Sequence, residues 1–174
     1  MLSLNFLLAS VVIFITGVQA NPTIYPEIIP GPGLPSLESL NLTSKNLYTM
    51  KPQFLLEPRS SNSASDVDCT SFANSNTNLN DALACYNYLA AVNMRDQTCA
   101  VSGDNVRFVE AGEAMIGGSN LHQTPGDAAS SCWDVSVAAQ GILQSCTNGG
   151  RVGGIQAANG NGNLIVGVYN ANLK

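Results

Sequence analysis

The sequence predicts an α+β fold: a small disulfide-linked α/β sandwich with helices packed on an antiparallel sheet. Three observations carry that expectation. Two stretches, Asp81 to Val92 and Ser131 to Gly150, place apolar residues at helical spacing. Each is followed by short β-type runs joined by turn residues. All five cysteines, Cys69, Cys85, Cys99, Cys132 and Cys146, fall inside the same region, residues 66–174.

The second helix is the better defined. Cys132, Val135, Ala139, Ile142, Leu143 and Cys146 form one apolar face, and Ser136, Gln140 and Gln144 the opposite, polar one. Ser131 with Asp134 fits a capping box, and Asn148-Gly149-Gly150 supplies a left-handed stop. Gly141 costs a helix about 1 kcal/mol against Ala, so it reads as a point where another backbone comes close. The first helix carries a similar stripe, Ala82, Cys85, Tyr88 and Val92. Aligning Cys85 with Cys132 and Cys99 with Cys146 gives a constant offset of 47, and both copies read Cys, aromatic, Asx. The chain therefore reads as two helix-plus-hairpin units related by a pseudo-two-fold axis.

After the first helix, Thr98 to Val101 reads as a strand. Val106 to Ala111 and Ala114 to Ile116 read as a hairpin turned at Gly112-Glu113, with a polar loop from Ser119 to Asp127. After the second helix, Val152 to Ala157 and Leu164 to Tyr169 flank Asn159-Gly160-Asn161-Gly162, whose Asn-Gly pairs suit a hairpin turn.

Ahead of this domain the composition changes twice. Residues 1–20 read as a secretory signal peptide: the run FLLASVVIFIT is too short to span a bilayer, and Val18-Gln19-Ala20 resembles a cleavage site. The mature chain is expected outside the cell, with no transmembrane segment. Residues 21–65 hold seven of the eight prolines and many serines, a composition that favours an extended, solvated, disordered segment. Asn41-Leu42-Thr43 is a sequon for N-glycosylation. Arg59, at the boundary with the Cys-containing domain, is a candidate for kexin-type processing that would release a chain starting at Ser60. The alternative is a linker that stays attached.

Residues 66–174 carry four bases against nine acids, a balance of −5. That argues against nucleic acid or anionic lipid as the main partner. In a secreted chain the cysteines are expected as disulfides. On one unbroken helix Cys132 and Cys146 stand about 21 Å apart, whereas a disulfide needs α-carbons within about 7 Å. The pseudo-symmetric solution is Cys85–Cys146 with Cys99–Cys132. It leaves Cys69 free or bridging a disulfide-linked dimer, while pairing of Cys69 with a helix cysteine stays open. With one His and no close Cys-x-x-Cys pair, zinc is not expected.

Few residues suggest catalysis. His122, the sole histidine, would have to serve any Ser-His-Asp or Cys-His mechanism, yet no nucleophile motif flanks it. Glu110 and Glu113 could be a glycosidase pair but read more simply as solvated charges. Gly149-Gly150-Arg151-Val152-Gly153-Gly154 follows a helix and precedes a strand, the reverse of a phosphate loop. Trp133 and Tyr86, placed at the helix starts, would either stack on a sugar or pack inward. No cofactor and no catalytic residue are expected.

A Cys in a helix, then Thr98-Cys99-Ala100-Val101, then a helix ending in Gly150-Arg151-Val152-Gly153-Gly154, resembles the fungal necrosis-inducing-factor effectors related to viral killer toxins. The similarity spans Cys85 to Val168, but this chain lacks the Cys that family places after its last Gly-rich stretch. More broadly, the chain is similar to small Cys-containing secreted effectors of plant-pathogenic fungi such as rusts. The resemblance implies an α/β sandwich and a virulence role played by binding a host protein and modulating plant immunity or cell death. It also implies action outside the cell or after entry into the host cytoplasm or chloroplast. The alternatives are a cell-wall or glycan-binding module and a small hydrolase using His122.

Overall fold

The computed structural model describes residues 24–52, 67–71, 73–121 and 128–172. In chain order its helices and strands are β1 (Ile28–Pro30), α1 (Ser44–Thr49), β2 (Thr77–Asn78), α2 (Leu79–Leu89), β3 (Thr98–Ala100) and β4 (Asn105–Ala111). There follow β5 (Ala114–Asn120), β6 (Ala129–Ser131), α3 (Cys132–Ser145), β7 (Arg151–Val152), β8 (Gly154–Ala158) and β9 (Asn161–Asn170).

Caps set the helix starts. Asn78 accepts from the backbone N–H groups of Asn80 and Asp81 at the head of α2, and Ser131 accepts from Asp134 N at the head of α3. The main sheet runs β1-β4-β5-β9-β8 with every neighbour antiparallel. Two small ladders, β2–β7 and β3–β6, stand apart from it. Helix α2 lies on β4 and β5, α3 lies on β8 and β9, and the helices touch each other, so both cover one face. Tyr88, Leu89, Ile116, Val135, Ile142, Leu164, Val166 and Val168 are fully or almost fully buried there.

Helices with antiparallel sheet are as the sequence suggested, but there is more sheet. Strands β2, β6 and β7 are two or three residues of largely polar chain, without the alternation that marks a strand locally. Their pairing comes from partners that lie far off in the chain, such as Thr77 opposite Val152.

The connectivity repeats. Exchanging β2-α2-β3-β4-β5 with β6-α3-β7-β8-β9 turns the β2–β7 ladder into β6–β3 and preserves the order β4-β5-β9-β8. The helix caps align at an offset of 53, however, with Asn78 matching Ser131 and Asp81 matching Asp134. Both aspartates face the hairpin turn of their own unit. Asp81 Oδ2 accepts from Glu113 N at the β4–β5 turn (3.0 Å), and the Asp134 carboxylate lies against Gly160 at the β8–β9 turn.

This register corrects the cysteine scheme. The offset of 47 equated Cys85 with Cys132, yet Cys132 opens α3 whereas Cys85 sits deeper in α2. Cys99 pairs with Cys132, and Cys146 pairs with Cys69 rather than Cys85. Cys69 is thus committed within its own chain and has no thiol for a dimer. Cys85 is the free cysteine, fully buried, with its thiol 3.8 Å from the Ala114 carbonyl oxygen. Burial pushes that thiol well above its ordinary pKa. Gly141 also has another use than expected: a Cβ there would overlap the side-chain amide of Gln156 on β8, so a side chain, not a backbone, comes close.

The larger correction concerns residues 24–52. Composition predicts an extended, solvated segment; the structure folds it onto the domain as a strap. Strand β1 extends the sheet beyond β4, and α1 packs on α2. Ile28, Leu40 and Leu47 are buried. The signal peptide and Arg59 lie outside the described residues, and among those described no helix is long and apolar enough to cross a membrane.

Candidate functional site

Thr43 caps α1 through a reciprocal box with Asn46, and the helix ends after one and a half turns at Met50. So short a helix is marginal alone, and α2 completes it. Asn87 Nδ2 donates to the Leu47 and Met50 carbonyls, at 2.8 and 3.2 Å, supplying partners for carbonyls a helix end leaves open. Tyr88 donates to the Pro35 carbonyl (2.7 Å), and Tyr48 donates to Asp81 Oδ1 (2.9 Å). Asp81 therefore joins the strap, the start of α2 and the β4–β5 turn.

Between strap and domain lies a cavity of about 290 Å³. The strap contributes Leu40, Leu42 and Met50; the domain contributes Tyr86, Ala90, Ala91 and Val92, with Asn87 and Asn93 as polar groups. Val92 and Met50, at 68 % and 45 % exposure, stand at its mouth. This is an apolar seat with a few amide groups, suited to hold a nonpolar side chain.

Burial first, then the Asp81 carboxylate, hold the Tyr48 phenol far above its usual range, and burial pushes Tyr88 up to about 12. Both stay protonated in the folded chain while an unfolded one ionises near pH 10. The stability they contribute is full below about pH 10 and falls as pH rises above it, with the Tyr88 share lost through about 12. We expect the thermal midpoint to fall over that window, and a Tyr48→Phe, Tyr88→Phe chain to lose less there. An equal fall in both chains would remove these phenols as the cause.

The other candidate residues are dispersed. Tyr86 lies inside α2, not at its start, and is 2 % exposed. Trp133 is half-buried against the core with the Arg95 guanidinium 4.4 Å from its ring centroid. Glu110 pairs with Arg107 (2.8 Å) and Glu113 with Arg151 (2.9 Å). Asn41 is exposed, in left-handed backbone at φ 54°, between the cavity residues Leu40 and Leu42. His122 lies outside the described residues. Among those described, no three His, Cys, Asp or Glu side chains gather to hold a metal. Sequence reasoning missed the strap's half of the cavity, because Leu40, Leu42 and Met50 follow no period and sit in a Pro-rich stretch.

Residues 64–170 match the family model described as a domain of unknown function (DUF8794). No curated protein and no solved structure matches the chain.

Proposed function

The chain belongs to the DUF8794 family, a domain of unknown function, and we propose that it is a secreted effector that binds a host protein and does not turn over a substrate. The observation that carries this reading is the strap–domain cavity, whose apolar lining and amide groups fit an aliphatic or aromatic side chain of a partner. Two disulfides suit an oxidising compartment. The fungal-effector resemblance supports action on a plant host, outside the cell or after entry into host cytoplasm or chloroplast. We also read the two repeated units as one α/β sandwich about a pseudo-two-fold axis. The glycan alternative is less favoured, since Tyr86 is buried and one face of Trp133 is taken by Arg95. In the non-enzymatic reading His122 has no catalytic part.

Val92→Asp tests the proposal. The side chain is exposed, so folding should change little, within about 0.5 kcal/mol. A charge at the cavity mouth should abolish pull-down of the host partner and the host response, whereas His122→Ala should preserve both. Loss of activity in a folded His122→Ala protein, with Val92→Asp active, would favour the hydrolase alternative.

A further inference from the structure

We propose that the face of the five-stranded sheet turned away from the helices is a self-association surface, on which a second copy of this chain packs face to face about a two-fold axis. The strap–domain cavity lies on the helix side, so such a dimer leaves it open in both copies.

Strand alternation divides the side chains of the sheet between two faces. Val109, Ile116, Val166 and Val168 are fully buried on the face that α2 and α3 cover. Their neighbours in the chain and across the strands point the other way: Met115 on β5, Ile165 and Tyr169 on β9, and Ile155 and Ala157 on β8. All five are only partly buried, and no described helix lies over them. Ile29 on β1 stands opposite Glu110 and is 39 % exposed. The centre of this face is low, because Gly117 pairs with Gly167. Tyr169 lies across the pair: a Cβ on Gly117 would come within 2.6 Å of its hydroxyl, and one on Gly167 within 3.0 Å of its ring.

Polar groups border this apolar centre, the layout of a protein interface. Ser119 donates to Asn105 at one end. A bulge between Arg107 and Val109 brings Arg107 and Glu110 to the same face, where they pair at 2.8 Å with both side chains partly exposed. They are the only base and the only acid in the five strands, so the acidic excess of the chain lies off this face. A two-fold axis can set Arg107 of each copy against Glu110 of the other. That self-complementarity favours a second copy over a partner of one charge sign, which would leave one of the two facing its like. Each strand residue covers roughly 3.3 by 4.8 Å, so the five strands form a face on the order of 500 Å². Two such faces bury on the order of 1,000 Å², where specific interfaces begin. The dimer is therefore reversible rather than permanent.

The test follows the secreted full chain by sedimentation velocity from roughly 1 to 300 µM. Its sedimentation coefficient should rise with concentration toward that of a dimer. Ile165→Lys places a charge at the centre of the face and should weaken association at least ~10-fold. Near-ultraviolet circular dichroism checks its folding, and Ile29→Lys, at an exposed position, supplies the same measurement if Ile165→Lys does not fold. Arg107→Glu and Glu110→Arg chains should each associate at least ~10-fold more weakly, because the axis then sets like charges together. An equimolar mixture of the two should form a heterodimer, since every charged contact across the axis joins opposite signs. A chain monomeric throughout this range, a dimer untouched by the lysine substitutions, or no heterodimer from the mixture would each overturn the inference. A monomeric native chain whose Ile165→Lys variant loses host pull-down would assign the face to a host protein and overturn the second copy. Val92→Asp should leave self-association unchanged, so failure of the recognition reading and failure of this one are separable.

Discussion

Cys146→Ser should remove more stability than Cys132→Ser. Its bridge to Cys69 closes a separation of 77 residues, against 33 for Cys99–Cys132. The chain-entropy relation puts the loss at about 4.5 and about 3.7 kcal/mol respectively. Either is a large share of the roughly 5–15 kcal/mol that holds a domain folded. Urea unfolding of Cys146→Ser and Cys132→Ser proteins would show both losses. Cys85→Ala, by contrast, should leave both bridges in a non-reducing peptide map. Recovery of a Cys85–Cys146 peptide from the native protein would return the symmetric scheme and sink the cap-based register.

Leu47→Ala is expected to cost about 2–5 kcal/mol at its site, because the side chain is wholly enclosed between α1 and α2 and leaves a cavity when truncated. The loss should be local. Residues 24–52 should exchange amide hydrogens faster and become protease-sensitive while the core of β5 and β9 keeps its protection. A domain whose protection falls by the same amount as the strap's would mean that the two unfold as one unit.

Helix geometry alone ruled out a Cys132–Cys146 bridge, and in the structure these cysteines bond elsewhere, to Cys99 and Cys69. The choice between Cys69 and Cys85 for Cys146 was not legible, because matching cysteines gave one register and matching caps gives another. Asn78 and Asp81 are the better markers, but a helix read from Asp81 onward leaves its true cap outside the alignment. The offset of 47 also sets Tyr86 level with Trp133 at a helix start, where it could be open to a ligand, when it lies about two turns into α2 and is buried. The strap is illegible for a different reason. Its anchors Ile28, Leu40 and Leu47 are twelve and seven residues apart, the first two with Pro30, Pro32 and Pro35 between them, so no local period reports them.

By itself, then, the sequence determined the two helices, the two hairpins and their turns, and the gathering of all cysteines in one domain. These depend on periodicity, caps and glycine-rich turns that act within a few residues. Only the tertiary structure decided the disulfide partner of Cys146, the burial of Cys85 and Tyr86, and the strap with the cavity beside it. Each of these depends on residues tens of positions apart, such as Asn87 with Leu47 or Tyr88 with Pro35. Such a contact is stable only after the chain between has folded and met its loop-closure cost.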